Sequence, residues 1–552
     1  MMSPLRPYAI CFSVLALAGC SDGVVVGEDA THSGTGSSTT SGDPPATTGN
    51  PSTTTTTADS PTGGLSSSSS GTTTGPEPTS TTTLDVLTTD ATSTSTGDPG
   101  TSTTTGEPVD PLVVFDCADG VAWVRPLMGG VGVSNVSIVL DLVADADGNT
   151  IAVGGFNLPL NLGDGPIAPE GITDGFIAKY GPTGEHLWSR VYGGSGLRTL
   201  LSVDLDPDGN ILVAGYFQET LDLGGGPLSA VNGFDGFVAK LSPEGDHLWS
   251  KSFGNTDADH GLSIASDSAG NVVLLAHAMG AVDFGAGPQG KGIVHHVVKF
   301  DPDGTLLWQR ALGNDNPEHL ARALAIDAHD DIVVVGEFAT TVDFGGGPEE
   351  PMGTSKIYVA KFGPAGELKW FRKSVGEVAP LGGVPQVIGL GLDALGNIHM
   401  AGWFWGQIDF GGGLLPWTGE FDTWIATLHA EGGHLWTRGH GGGSPFWQVP
   451  FSVAANEVGD MVVSGIFEGH FTLGGDLFAS EDGPVYIGRF GLDGSHGLSR
   501  AFRVVSANAV DIDDDGGIWF SGLFNKPFEI AGVTFEPTTP GQHDGYLIRL
   551  CP

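Results

Sequence analysis

The sequence predicts an all-β fold, a seven-bladed β-propeller with four antiparallel strands per blade. Three observations predict it. A Trp-bearing hairpin recurs from one end of the C-terminal region to the other, a second hairpin precedes each copy, and the order of the pieces is offset at the two ends. The Trp-bearing hairpin is clearest at 235–254, DGFVAKLSPEGDHLWSKSFG, with kin from Asp174, His295 and Ile357 and looser copies from Thr423 and Val485. Each is two alternating apolar segments around a Pro/Gly/Asp turn, the pattern of two half-buried strands.

The period is read on Trp123, Trp188, Trp249, Trp308, Trp370, Trp436 and then Leu498 in the same place, at intervals of 65, 61, 59, 62, 66 and 62 residues. Some thirty to forty residues before each hairpin lies the second marker, apolar strand, Asp/Gly/Asn turn, apolar strand, as in VDLDPDGNILVAGYF and VDIDDDGGIWFSGLF. Four strands per unit without a helical period indicate a propeller, because a four-stranded sheet with two apolar faces covers both only by stacking radially on its neighbours. Trp123 has no first three strands before it, and the last unit supplies three strands, around Val510, Trp519 and Tyr546–Leu550. The N-terminal strand therefore completes the last blade.

Before the propeller (112–552) come two segments of different character. Residues 1–20 read as a targeting segment, with Arg6 ahead of a short apolar run from Tyr8 to Ala18. That run is too short to span a membrane. Residues 21–111 are Thr, Ser, Gly, Pro and scattered acids with no Lys or Arg. Such a segment buries nothing that would offset the entropy of ordering it, and reads as a disordered stalk of roughly 50 Å end to end.

Two resemblances add to this reading. Leu17-Ala18-Gly19-Cys20 resembles the lipobox of bacterial lipoproteins, which implies cleavage before Cys20, a lipid on that residue and a place in the cell envelope; an ordinary secretory signal is the alternative. Ser21 rather than Asp after the cysteine implies the outer membrane. The repeat G-N-x-x-V-x-G, D-x-F-V-A-K and the Trp strand resemble the bacterial SBBP-type β-propeller repeat over about residues 113–552. The likeness is weaker in blade six, where Pro484 and Leu498 replace the Asp and the Trp. With Cys11 leaving in the signal and Cys20 lipidated, Cys117 and Cys551 remain. Aligned on FDPDGTLLW (300–308), both fall in one hairpin turn, so they pair as a disulfide or stay as two free thiols.

Motifs of chemistry are sparse. Asp145/Asp147, Asp206/Asp208 and Asp513/Asp515 open like calcium loops but lack the later ligands, and Asp-Gly-Asn is what tight hairpins need. GAGPQGKG (285–292) falls short of a phosphate loop, having no final Ser/Thr and no strand-then-helix context. Lys179, Lys240, Lys299, Lys361, Arg489 and Arg549 occupy one place per blade, and His186, His247, His434 and His496 another, which suits ion pairs and turn groups within the blades. No cofactor or metal site is expected.

The candidate ligand residues are those that break the repeat. Loops from fourth to first strands share a face with those from second to third. There Asp257, Asp259, His260, Asp315, Glu318 and His319 would form an acidic rim for a cation or a basic group. Trp403 and Trp405 of blade five flank the recurrent Phe404. With Phe446 and Trp447 they would make an aromatic platform for a sugar ring or a protein, or else pack between blades. With 64 acidic residues against 22 basic ones, the formal charge of −42 argues against nucleic acid or anionic lipid as partner. The expectation is a monomeric, membrane-anchored, non-catalytic binding module for a protein or glycan. The alternatives are a polysaccharide lyase or glycosidase working in the central funnel, and a structural scaffold.

Overall fold

The computed structural model describes residues 112–131, 139–313, 319–351, 355–376, 385–418, 421–443, 448–480 and 485–552. The targeting segment, Cys20 and the stalk lie outside them, as do Asp315, Glu318, Phe446 and Trp447. Every regular element among these residues is a strand, and they build seven blades. Blade two is typical, with Arg198–Leu205, Ile211–Phe217, Asp235–Leu241 and His247–Phe253 paired in order from the axis outward. Blade seven takes Ser506–Ile512, Ile518–Phe524 and His543–Leu550 from the C-terminus, and its outer strand, Val121–Val131, from the other end of the propeller.

The ring closes because the sheets are apolar on both faces. Their two middle strands, such as ILVAGYF and DGFVAKL, are buried along their whole length. Seven apolar clusters fill the seven seams. The one that closes the ring joins Trp123, Leu127, Trp519 and Leu547 of blade seven to Ala152, Phe156, Phe176 and Tyr180 of blade one. Near its start each inner strand carries a bulge. The bulge explains the glycine of V-x-G, since a Cβ on Gly336 would stand 2.0 Å from the Leu320 carbonyl oxygen.

A polar latch repeats across the seams. The Pro302 carbonyl, in the outer hairpin turn of blade three, accepts from Trp249 Nε1 at 2.9 Å and from Lys240 Nζ at 3.5 Å, both of blade two. Trp308 and Lys299 reach Pro364 of blade four in the same way, and Trp123 and Arg549 reach Pro182 of blade one. The ring of Trp249 lies against the turn glycine Gly304, which has φ +82° and whose Cβ would come within 2.8 Å of the indole. The outer strand adds a cation: Arg125 donates to Gly184 O, Arg310 to Gly366 O and Arg500 to Asp119 O.

The lysine is held by an aspartate of its own blade, Lys240 to Asp206 at 2.6 Å and Lys299 to Asp267 at 2.7 Å. Asp206 also accepts from the amides of Asp208 and Asn210 and from the Asn210 side chain, so the calcium-like turn is a structural one. Burial pushes its carboxyl up, but Lys240 and Asn210 outweigh this and hold it below the usual carboxylate range. In blade five Thr427 stands where the lysine would, and His399 takes the aspartate instead, 3.4 Å from Asp393.

Blade seven alone lacks a continuous outer turn. Cys117 and Cys551 are disulfide-bonded there, with Cα atoms 5.9 Å apart. The Cys551 amide donates to Gly120 O as Asp301 does to Thr305 O in the intact turn of blade three. The bridge thus restores the turn that Arg500 of blade six latches onto.

Two outcomes follow for stability. Replacing both cysteines by serine should lower stability by about 2–4 kcal/mol, read as a lower urea midpoint, with the first new protease cuts near residues 112–120. Trp308→Ala should cost about 3 kcal/mol and Trp308→Phe clearly less, because only the alanine empties the contact with Gly366. Equal losses in thermal melts would refute the packing role of the indole.

Candidate binding face

The loop face carries the ends of the second and fourth strands and the starts of the first and third. In blades two, three, four and six a polar residue stands near the start of the inner strand at this face. In blade three this is Asp259, whose oxygens accept the amides of Asn255 and Met279 at 3.0 and 2.8 Å. In blade six it is Gln448, bonded to Gly442 N and Glu468 O. Arg198 and His319 hold the same place in blades two and four, Arg198 donating to Gly196 O. Asp259 and Gln448 thereby join the fourth-to-first loop to the end of the second strand.

The structure therefore distributes the expected rim. Asp259 is fully buried with both oxygens engaged, and burial pushes its carboxyl up to about 6. His260 and His319 are buried too, His260 edge-on to Tyr216 at 4.6 Å and His319 stacked on Tyr358 at 5.4 Å. Asp257 is exposed at the loop tip. The aromatic residues of blade five come together. Trp403 and Trp405 are both half-buried and stand edge-on to Phe421, at 4.9 and 5.5 Å, while Phe404 between them is in the core. The same second-to-third connection exposes Leu414 and Trp417.

Sequence reasoning passed over several residues here. The second-to-third connections of most blades fold into small two-stranded ribbons around an Asp-x-Gly-Gly-Gly type turn. Asp222 accepts the amides of Gly224 and Gly226, and Asp283 those of Gly285 and Gly287, so the segment resembling a phosphate loop is one copy of this turn. The recurring histidine packs over it: a Cβ on Gly225 would fall 2.1 Å from the His247 ring. The glycine-rich triplet before most third strands, G-G-G in blades two, four and five, was the signal that could have found it. Phe421 and the buried His277 and His295 carried no repeat signal at all.

Around the axis, inner-strand amides left without a sheet partner are satisfied by side chains of the preceding blade. Asp141 accepts Val203 N, Asp204 accepts Ser266 N and Asp511 accepts Ala144 N, at 2.9–3.0 Å. Half-buried around the axis with protein on all sides, Asp141 and Asp204 are pushed up to about 7 and Asp511 to about 6, by desolvation first and, as a smaller effect, by nearby carboxylates: Asp511 on Asp141, Asp141 and Asp511 on Asp204, and Asp513 on Asp511. Among the described residues no three His, Cys, Asp or Glu side chains are placed to hold a metal ion. A cleft of about 450 Å³ on the outer side of blade three, lined by Lys251, Phe284, Asp303 and Trp308, gathers one acid and one base.

No protein-family model matches the chain. It is 22% identical over 375 residues to an uncharacterised WD repeat-containing protein of Acanthamoeba polyphaga mimivirus, a match covering 53% of this chain and 26% of that protein, so the chain spans about a quarter of that relative's length. Among solved structures, the RRP9 WD40 repeats are 13% identical with a TM-score of 0.39, covering 77% of this chain and 97% of that one. U3-55K is 12% identical with a TM-score of 0.40, covering 77% and 98%. At these identities the likeness is one of fold alone.

The axial carboxylates set a pH dependence. A group raised in the folded state stabilises it below the unfolded pKa and loses that contribution as pH rises through the folded one. For Asp141 and Asp204 the loss spans about pH 4 to 7. Asp204→Asn, which still accepts the Ser266 amide, should melt higher than the parent at pH 8 and at the same temperature near pH 4. Parallel melting curves across that range would rule this out.

Proposed function

We propose that this chain is a non-catalytic binding module of the bacterial cell envelope. Cys20 carries the lipid that anchors it, residues 21–111 hold the propeller off the membrane, and the loop face binds a protein or glycan. The outer membrane is its location, the SBBP-type repeat its sequence class, and the monomer its working form.

The observation that carries the binding reading is the aromatic group of blade five. Charged and polar residues that recur from blade to blade are engaged within the fold, in latches, turns and loop ties. Trp403 and Trp405 depart from the repeat, lie on the loop face and keep part of each indole accessible, with Leu414 and Trp417 exposed nearby in sequence. Partly accessible indoles beside a rigid ring present apolar area at little entropic cost, as stacking on a sugar or anchoring a protein loop requires. The excess of acid selects against polyanions and favours neutral or basic ligands.

A glycan array probed with the propeller, beside a Trp403→Ala/Trp405→Ala variant, tests the face. At least a tenfold loss of binding in the variant is expected, and equal binding by both would remove it. Metabolic labelling with a radioactive fatty acid tests the anchor: Cys20→Ser should abolish incorporation and release the protein from membranes.

A further inference from the structure

We infer that the loop face of blades three and four is an acid-labile seam, in which proton uptake by a buried row of histidines loosens this sector while the rest of the ring stays closed. The row is His260, His277, His295 and His319. His260 and His277 are cross-strand neighbours in blade three, as are His277 and His295, and His319 starts the inner strand of blade four. Successive ring centroids lie 5.8, 4.9 and 5.7 Å apart, and Tyr216 and Tyr358 close the two ends. All four rings are buried.

The surroundings suit neutral rings and give a proton added to the central pair nowhere to go. His277 Nδ1 and His295 Nε2 face each other at 3.4 Å, while His277 Nε2 and His295 Nδ1 are buried with no hydrogen-bond partner. A neutral ring has one N–H and an imidazolium two, so a proton taken up by the central pair adds a buried donor without an acceptor, and one taken up anywhere in the row puts a positive charge beside the next ring. His319 Nε2 meets the Tyr358 hydroxyl at 3.2 Å. The neighbouring carboxylates are already engaged: Glu337 binds Arg322 at 2.8 Å and the Val387 amide, and Asp259 binds two backbone amides. Arg322 adds a further positive charge, Asp257 is exposed at the loop tip, and His296 lies on the opposite face of its strand against Phe284. A metal ion held between His277 and His295 would leave both outer N–H groups without acceptors, which disfavours a metal reading of the pair.

Burial accordingly holds His260 down to about 3 and His319 to about 4, with His277 and His295 also lowered. Groups depressed in this way stabilise the fold above their unfolded value near 6.5 and lose that contribution as pH falls toward 4. The axial carboxylates Asp141, Asp204 and Asp511 respond in the opposite sense over much of the same range. Acid therefore tightens the axis at blades seven, one and two and loosens the loop face at blades three and four, so the response is local.

Hydrogen exchange read by mass spectrometry on the full chain, corrected for intrinsic rates at pH 7.0, 5.5 and 4.0, tests this. Peptides covering 254–279 and 319–326 should lose at least tenfold in protection by pH 4.0, while 448–455 and 506–512 keep theirs. A variant carrying His260→Thr, His277→Tyr, His295→Thr and His319→Gln, the residues other blades have at these positions (Thr199, Tyr216, Thr423 and Gln448), should lose the pH dependence. An equal loss in parent and variant, or one spread evenly round the ring, would overturn the inference. Should the variant fail to fold, NMR titration of the parent's histidines decides: four rings that titrate near 6.5 with unchanged exchange overturn it, and rings silent above pH 5 support it.

Discussion

A carbonyl oxygen in the outer hairpin turn is the contact by which one blade is aligned on the next. In four of the seven seams that oxygen (of Pro182, Pro302, Pro364 or Leu492) receives an indole N–H from the blade before it, in three of them together with a lysine or arginine, and the turn glycine lies under the indole. The apolar clusters supply most of the cohesion, yet apolar contact is non-directional and tolerates sliding. The latch supplies register, because its donors and acceptor meet at one rotation of blade on blade. It also explains the sequence repeat. Pro or another turn residue, Gly, Trp and Lys recur at fixed spacing because they are two halves of one contact borne by successive blades.

Ring closure is the same contact made between the two ends of the propeller. Trp123 and Arg549 sit on different ends of the chain but bind one oxygen, Pro182 O, as Trp249 and Lys240 bind Pro302 O. The break falls in the outer turn of blade seven, where continuity is restored by the Cys117–Cys551 bond. Without it the turn facing Arg500 would be joined to the C-terminal strand by hydrogen bonds alone. Covalent repair is needed at this one seam because only there is the acceptor turn made of two pieces.

What the sequence disclosed follows from this. Residues repeated for geometric reasons were legible: the strands, the number of blades, the offset N-terminal strand and the turn shared by the cysteines. Residues whose role depends on which way a side chain turns were not. Asp259 and Asp257 are two positions apart in one loop, and nothing in the string of letters says that one carboxyl is fully buried on two amides while the other faces water. Trp403 and Trp405 were legible as departures from the repeat, but Phe421, which holds them, comes sixteen residues later and matches no motif. His277 and His295 hid for a different reason. Each stands where other blades place Tyr, Glu, Trp, Gly or Thr, a position free to vary because the latch is elsewhere.

That freedom locates where the molecule can specialise. Seam contacts near the outer hairpin turns are constrained by the shared carbonyl, whereas the loop-face ends of the second and third strands are not. Blade two uses Tyr216 there, blade three the histidine pair, blade four Glu337 on Arg322, and blade five the two indoles on Phe421. The four seams consequently differ in how they answer protons and in how much apolar surface they leave open, on a scaffold that is otherwise uniform. A ring built this way can change one sector without loosening the next, since neighbouring seams share strands but not latches. The proposed binding surface and the proposed acid response thus belong to one end of the propeller for the same reason: it is the end that the repeat does not need to control.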